Sequence, residues 1–217
     1  AIVSTLLGVL YALMEHDLKR LLAFHSIENI GIILLGIGMA LVFNADRKPI
    51  FVIFALAASL YHLINHAVFK GLLFLAAGSV LSETHTRNME ELGGLIRQMP
   101  WTAAFFLIGS VAISALPPLN GFVSEWMTFI SLLLGFEEPG VGIRFLSPLL
   151  ASLLGLAGAL AATCFVKAFG ICFLGAPRSS HAAEAHESSG SMNLGMGILA
   201  ASCFLLAFGA PWIIKIL

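Results

Sequence analysis

The chain has 217 residues, of which 59% are hydrophobic and 11% charged, and its formal net charge is −1 at pH 7. Soluble domains carry roughly 45–50% apolar and roughly 25% charged residues, so this composition excludes a soluble globular protein. A near-neutral chain offers no basic field for nucleic acid, and at about 20 residues per bilayer crossing there is room for six or seven spans.

Ala1 to Met14 is apolar but short of a full crossing, and it lacks the basic flank of a secretory signal. The expectation is a chain that opens inside a transmembrane helix, with further helices upstream. After a polar turn, Glu15 to Arg20, a span is predicted over 21–43, followed by a breaker-rich turn from Asn44 to Pro49. The next run, 50–81, has 32 residues, about 48 Å of helix. That exceeds a hydrocarbon core of roughly 30 Å, so the helix tilts or projects. Residues 82–100 read as a polar loop with a short surface helix over 89–99.

Residues 101–135 are apolar but interrupted by Ala115-Leu116-Pro117-Pro118-Leu119-Asn120-Gly121. Two prolines remove two backbone donors and a glycine follows, so a continuous helix cannot pass. One helix broken at 117–121, near mid-membrane, is expected; a hairpin of two short spans is the alternative. A span over 147–174, a polar linker over 175–191 and a final span over 194–214 complete the chain. His181 and His186 in the linker mark a solvated loop rather than a metal site. The fold class is therefore all-α: one polytopic transmembrane bundle over 1–217 with a discontinuous helix. Lys19, Arg20, Arg87, Arg97 and Arg178 fall on one side, and Arg47, Lys48, Arg144 and Lys215 on the other, so the positive-inside rule gives no orientation.

Ionisable residues within the spans carry the functional signal. Each costs roughly 2.5–3.5 kcal/mol at the bilayer centre unless it finds a partner, water or a purpose. They are His25, Glu28, His62, His66, Lys70, Glu125 and Lys167. His62, His66 and Lys70 recur every four residues, which puts them in a stripe on one helix face, about 12 Å long. Asn65 lies beside it. Imidazoles titrate near neutrality, so such a line can pass protons through intervening waters. Zinc on the His-x-x-x-His pair is disfavoured, because no cysteine or carboxylate sits at ligand spacing. Cys164, Cys172 and Cys203 lie in apolar runs without metal or cluster spacing and read as small hydrophobes.

Glu125 follows the break by four residues. Broken membrane helices line cavities rather than lipid, so this carboxyl is either a hydrated proton carrier or a cap on the second half-helix from its first turn. The two readings are compatible. Lys167, deep in the 147–174 span, either snorkels or joins the polar path. His25 and Glu28, one turn apart, pair for structure or for relay.

These motifs resemble a known family. The run from Tyr11 to Gly31, with Asp17-Leu18-Lys19-Arg20 at its turn, is similar to the antiporter-like membrane subunits of respiratory complex I, Mrp antiporters and membrane-bound hydrogenases. So are Leu60 to Lys70 and Ala115 to Glu125. Complex I subunits tend to show Ala-Tyr-Ser-Ser-Ile-Ser-His where this chain has Ala23-Phe24-His25-Ser26-Ile27-Glu28-Asn29. That form, together with Cys164-Phe165-Val166-Lys167-Ala168-Phe169-Gly170 and Gly175-Ala176-Pro177-Arg178, resembles the hydrogenase-4 and formate hydrogenlyase branch.

The resemblance implies a proton-translocating module of a multi-pass cell membrane protein, in the inner membrane of a bacterium. It would bind no cofactor and carry no redox chemistry of its own. Its partners would be other membrane subunits and a hydrophilic redox arm. Family members have about fourteen helices in two inverted repeats, and this sequence matches the later ones. On the family pattern, His62, His66 and Lys70 match the relay helix. Glu125 matches the charged position of the second broken helix, and Lys167 a position held by Lys or Arg. Asp17 and Lys19 match an Asp-x-Lys turn. A cation/proton antiporter of the Mrp type, an NADH-quinone oxidoreductase subunit and a purely structural membrane anchor are the competing readings.

Overall fold

The computed structural model describes residues 1–216. Helix α1 (Ile2–Met14) is followed by α2 (Leu18–Ala45), which starts where the Asp17 carboxylate accepts from the backbone N–H groups of Lys19 and Arg20, at 2.9 and 3.0 Å. That side-chain cap satisfies donors that the first turn leaves free. Helix α3 (Pro49–Thr84) opens on a proline, which suits a first-turn position, and ends at His85 in the left-handed conformation. Its 36 residues run without a break, longer than the expected 50–81.

The surface helix expected over 89–99 is two pieces: a single turn at Met89–Glu91 and the short α4 (Leu95–Gln98). Gly93 and Gly94 between them have φ of 121° and 66°, which an α-helix cannot contain. A side chain at Gly93 would meet the Ala176 carbonyl at 2.5 Å. The Arg178 guanidinium locks this loop by donating to the carbonyls of Glu90, Met89 and Ile171 at 2.8, 3.0 and 2.5 Å.

Helices α5 (Pro100–Ile113) and α6 (Asn120–Leu134) form the broken element. Gly109 of α5 packs on Leu73 of α3, whereas Asn120 and Ser124 of α6 bond to Asn65 and His62 of α3. The two halves thus follow one another antiparallel along α3. This is one discontinuous helix, and the hairpin alternative is set aside. The break lies at 114–119 rather than 117–121. Leu116 N–H bonds back to the Val111 carbonyl and Ala115 N–H to that of Ala112, closing α5 with Ala115 at φ 49°. The helix resumes once the prolines are passed, with Asn120 and Gly121 already helical. Gly121 is needed for proximity rather than flexibility, because a Cβ there would collide with the Ala112 carbonyl.

Helix α7 (Val141–Phe173), the short α8 (Ser180–Glu184) and α9 (Gly190–Ile213) complete the bundle. The linker read as a solvated loop is docked: Ala182 and Ala185 are buried, and the Glu187 carboxylate caps α5 through Trp101 N–H at 2.8 Å and the Thr102 hydroxyl at 2.6 Å. Its length and polarity hid this, since docking depends on the distant start of α5.

Four helices, α2, α3, α7 and α9, are long and apolar enough to cross a membrane. Large side chains such as Leu41, Ile53, Phe145 and Leu205 face outward, while many buried positions are Ala, Ser or Thr. That inversion is the pattern of a bundle in lipid, where small residues let helix backbones approach closely. The three cysteines are free and buried.

Candidate functional site

The centre of the bundle holds polar side chains from α2, α3 and α6, with α7 closing one side. His62 on α3 is 1% exposed and uses both ring nitrogens. Nδ1 is 2.9 Å from the Ser124 hydroxyl of α6, and Nε2 is 3.2 Å from Asn29 Oδ1 of α2. Asn29 in turn donates to the His25 carbonyl at 2.8 Å. One turn further along α3, Asn65 and Asn120 exchange bonds: Asn65 Nδ2 donates to the Asn120 carbonyl at 3.0 Å, and Asn120 Nδ2 to Asn65 Oδ1 at 3.2 Å.

Lys70 is buried, and its ammonium donates to the Leu22 carbonyl of α2 at 2.6 Å. His66, between His62 and Lys70, is partly exposed, but its Nε2 is buried without a hydrogen-bond partner among the described residues. The stripe read from the sequence thus lies largely against α2 rather than forming a self-contained line. His25 Nδ1 bonds to the Glu28 carboxylate, and both residues are buried. The His25 ring packs against Phe165 of α7, with centroids 4.6 Å apart and the planes tilted by 33°.

Glu125 does not share the α6 face that touches the stripe. Its carboxylate points to α7, 3.2 Å from where a Cβ on Gly158 would stand, and borders a cavity of about 150 Å³ lined also by Ala115, Phe122, Trp126 and Leu154. It sits in the second turn of α6, which begins without a side-chain cap. Ser124, not Glu125, joins α6 to His62. Lys167 neither snorkels nor bonds to the stripe: its ammonium holds the carbonyls of Leu13 and Glu15 at 2.8 and 3.0 Å, at the end of α1. Cations suit helix C-termini for this reason. Asp17 caps α2 and pairs with Arg87 at 3.3 Å in the loops, and Lys19 lies in the same first turn, so neither enters the buried network.

Asn29, Ser124 and Asn120 are the members that sequence reasoning missed or left as part of a turn. Their signal was weak, since uncharged polar residues are common in membrane helices. Among the described residues no group of three or more His, Cys, Asp or Glu stands close enough to share a metal ion.

A family model described as NADH:quinone oxidoreductase/Mrp antiporter, transmembrane, matches residues 1–141. Hydrogenase-4 component B of Escherichia coli (strain K12) is 51% identical over 211 residues, covering 97% of this chain and 31% of the relative. Formate hydrogenlyase subunit 3 of the same organism is 43% identical over 215 residues, covering 99% of this chain and 35% of the relative. The chain therefore spans about a third of the length of these relatives. The fold is that of a chain in the Mrp complex from Dietzia sp. DQ12-45-1b, with a TM-score of 0.81 at 20% identity over 99% of this chain and 44% of that one. With its apolar multi-pass bundle, its helix broken at Pro117-Pro118 and the polar network along that break, this chain belongs to the NADH:quinone oxidoreductase/Mrp antiporter transmembrane family.

Proposed function

We propose that this chain works as proton-translocating membrane machinery in a hydrogenase-4 or formate hydrogenlyase type of oxidoreductase complex. It would lie in a bacterial inner membrane beside other membrane subunits and a hydrophilic arm that carries the redox chemistry. The names of the two relatives support the branch. The observation that carries the mechanism is the buried joint at His62, where one imidazole links α2 and α6 through Asn29 and Ser124. A neutral imidazole donates from one nitrogen and accepts at the other, so it can take a proton on one side and release it on the other.

In this reading His62, His66 and Lys70 hold and pass protons along α3, and Glu125 takes part from the α6–α7 cavity. Lys167 contributes as a fixed charge that ties α7 to α1. Asp17 and Lys19 shape the turn before α2. The test is proton translocation in vesicles holding the assembled complex, with electron transfer and the amount of complex measured together. Lys70→Met and Glu125→Gln each lower protons moved per electron by about a hundredfold, the low end of what a positioned acid or base contributes. His181→Ala, at an exposed position of the docked α8, leaves the ratio unchanged. Normal translocation by assembled Lys70→Met and Glu125→Gln variants overturns the reading.

The fold shared with the Mrp complex favours a second reading, cation/proton antiport without electron transfer. Proton movement driven by a sodium or potassium gradient in vesicles that transfer no electrons would select it.

A further inference from the structure

The His25–Glu28 pair on α2 is not needed to explain the stripe on α3, yet it is buried in the same core. Helices α2 and α3 run antiparallel with a fixed register. Lys70 bonds to Leu22, His62 to Asn29, and the Ser59 hydroxyl to the Ile33 carbonyl at 3.0 Å. His25 lies three residues past Leu22, and His66 four residues before Lys70, so the register brings the two histidines level across the interface. Leu22, His25 and Asn29 recur at helical spacing on one face of α2, which is the face turned to α3.

At that level two imidazole nitrogens, His25 Nε2 and His66 Nε2, are buried and lack a hydrogen-bond partner among the described residues. Buried polar atoms normally find one, and a water bridging the two would supply it. On its other side His25 is bonded to Glu28. Glu28 is buried and lies within electrostatic range of both Lys70 on α3 and Glu125 on α6. The titratable groups within electrostatic range of it are Lys70 on α3, Glu125 on α6 and Cys164 on α7, beside the hydrogen-bonded His25 on its own helix. No direct bond joins Glu125 to the stripe, because Ser124 occupies the α6 face that touches His62.

We propose that His25 and Glu28 form a proton-transferring dyad that connects the stripe at His66 to Glu125 of the broken helix. The pathway rests on the proton-translocation reading above. In one direction, a protonated His66 releases a proton from Nε2, and His25 takes it on Nε2. His25 gives the proton on Nδ1 to the Glu28 carboxylate and is again neutral. The Glu28 carboxyl then passes its proton to the Glu125 carboxylate and returns to its charged form. One proton enters at His66 and one leaves at Glu125. Rotation of the ring then restores the first tautomer.

The experiment uses the assembled complex in vesicles and scores protons moved per electron beside the amount of complex. Glu28→Gln keeps size and a hydrogen bond to His25 but carries no exchangeable acid proton. The expected result is a loss of about a hundredfold in the ratio, with assembly retained, and recovery in Glu28→Asp. A pair that only holds α2 in place predicts the reverse, normal pumping in Glu28→Gln. If Glu28→Gln fails to assemble, His25→Asn decides, since it removes the two-sided imidazole and leaves the carboxylate. Normal pumping by either assembled variant, in vesicles where Lys70→Met has stopped it, overturns the dyad and leaves the proposed function standing. Normal pumping by Lys70→Met and Glu125→Gln as well would overturn the function itself.

Discussion

Glu91 shows how a single residue can report on the loop face of the molecule. Its carboxylate accepts from the Thr86 hydroxyl at 2.8 Å and from Asn88 Nδ2 at 3.0 Å, and these bonds hold its pKa below the ordinary carboxylate value. Between the lowered and the ordinary value the unfolded loop binds more protons than the folded one, so order in the loop rises with pH there. The contribution is complete above the ordinary carboxylate range and is lost as pH falls through the lowered pKa. Amide exchange over residues 86–92 should therefore be faster at acid pH than at neutral pH, after correction for intrinsic rates. Glu91→Gln should remove that pH dependence. At the buried centre, the four-residue spacing of His62, His66 and Lys70 was legible because helical periodicity alone puts them on one face. Asn29 and Ser124 were not, because their importance depends on which face of two other helices meets His62.

Among the elements, the break between α5 and α6 depends on opposite requirements at two small residues. Ala115 closes α5 in the left-handed region, which L residues other than glycine adopt at a cost of roughly 1–2 kcal/mol. Ala115→Gly should raise the thermal stability of the purified membrane protein by about 1 kcal/mol, reduced somewhat by the added freedom of the unfolded chain. Gly121→Ala should do the opposite. Its methyl would meet the Ala112 carbonyl, a backbone group that cannot swing aside, so the two half-helices would separate and destabilise the protein by about 1–3 kcal/mol. Thermal unfolding of the detergent-solubilised protein measures both. The cap on α5 adds a third case: Glu187→Ala removes the acceptor for Trp101 N–H and the Thr102 hydroxyl and should cost about 1 kcal/mol. That a break occurs was visible in Pro117-Pro118. Where it begins and ends was not, because the end of α5 is set by carbonyls that Ala115 and Leu116 reach backward to satisfy.

For the molecule as a whole, close helix approach decides where the charges stand. Gly8 of α1 lies against the backbone of α2, where a Cβ would be 2.7 Å from Glu28 N and 2.9 Å from the Phe24 carbonyl. Gly8→Ala should push α1 off α2 beside the His25–Glu28 pair, destabilise the protein by about 1–3 kcal/mol, and lower the yield of assembled complex at the growth temperature. An equal yield of assembled Gly8→Ala complex would show that the contact is slack. Composition alone determined that this chain belongs in a bilayer, because too few charges cover too much apolar surface, and helical periodicity with paired prolines determined a polar stripe and a broken helix. Only the tertiary structure decided that the stripe lies against α2, that Glu125 faces α7, and that Lys167 closes α1. These depend on helix register and rotation, which are set by contacts between residues far apart in sequence, and no local pattern of residues encodes them.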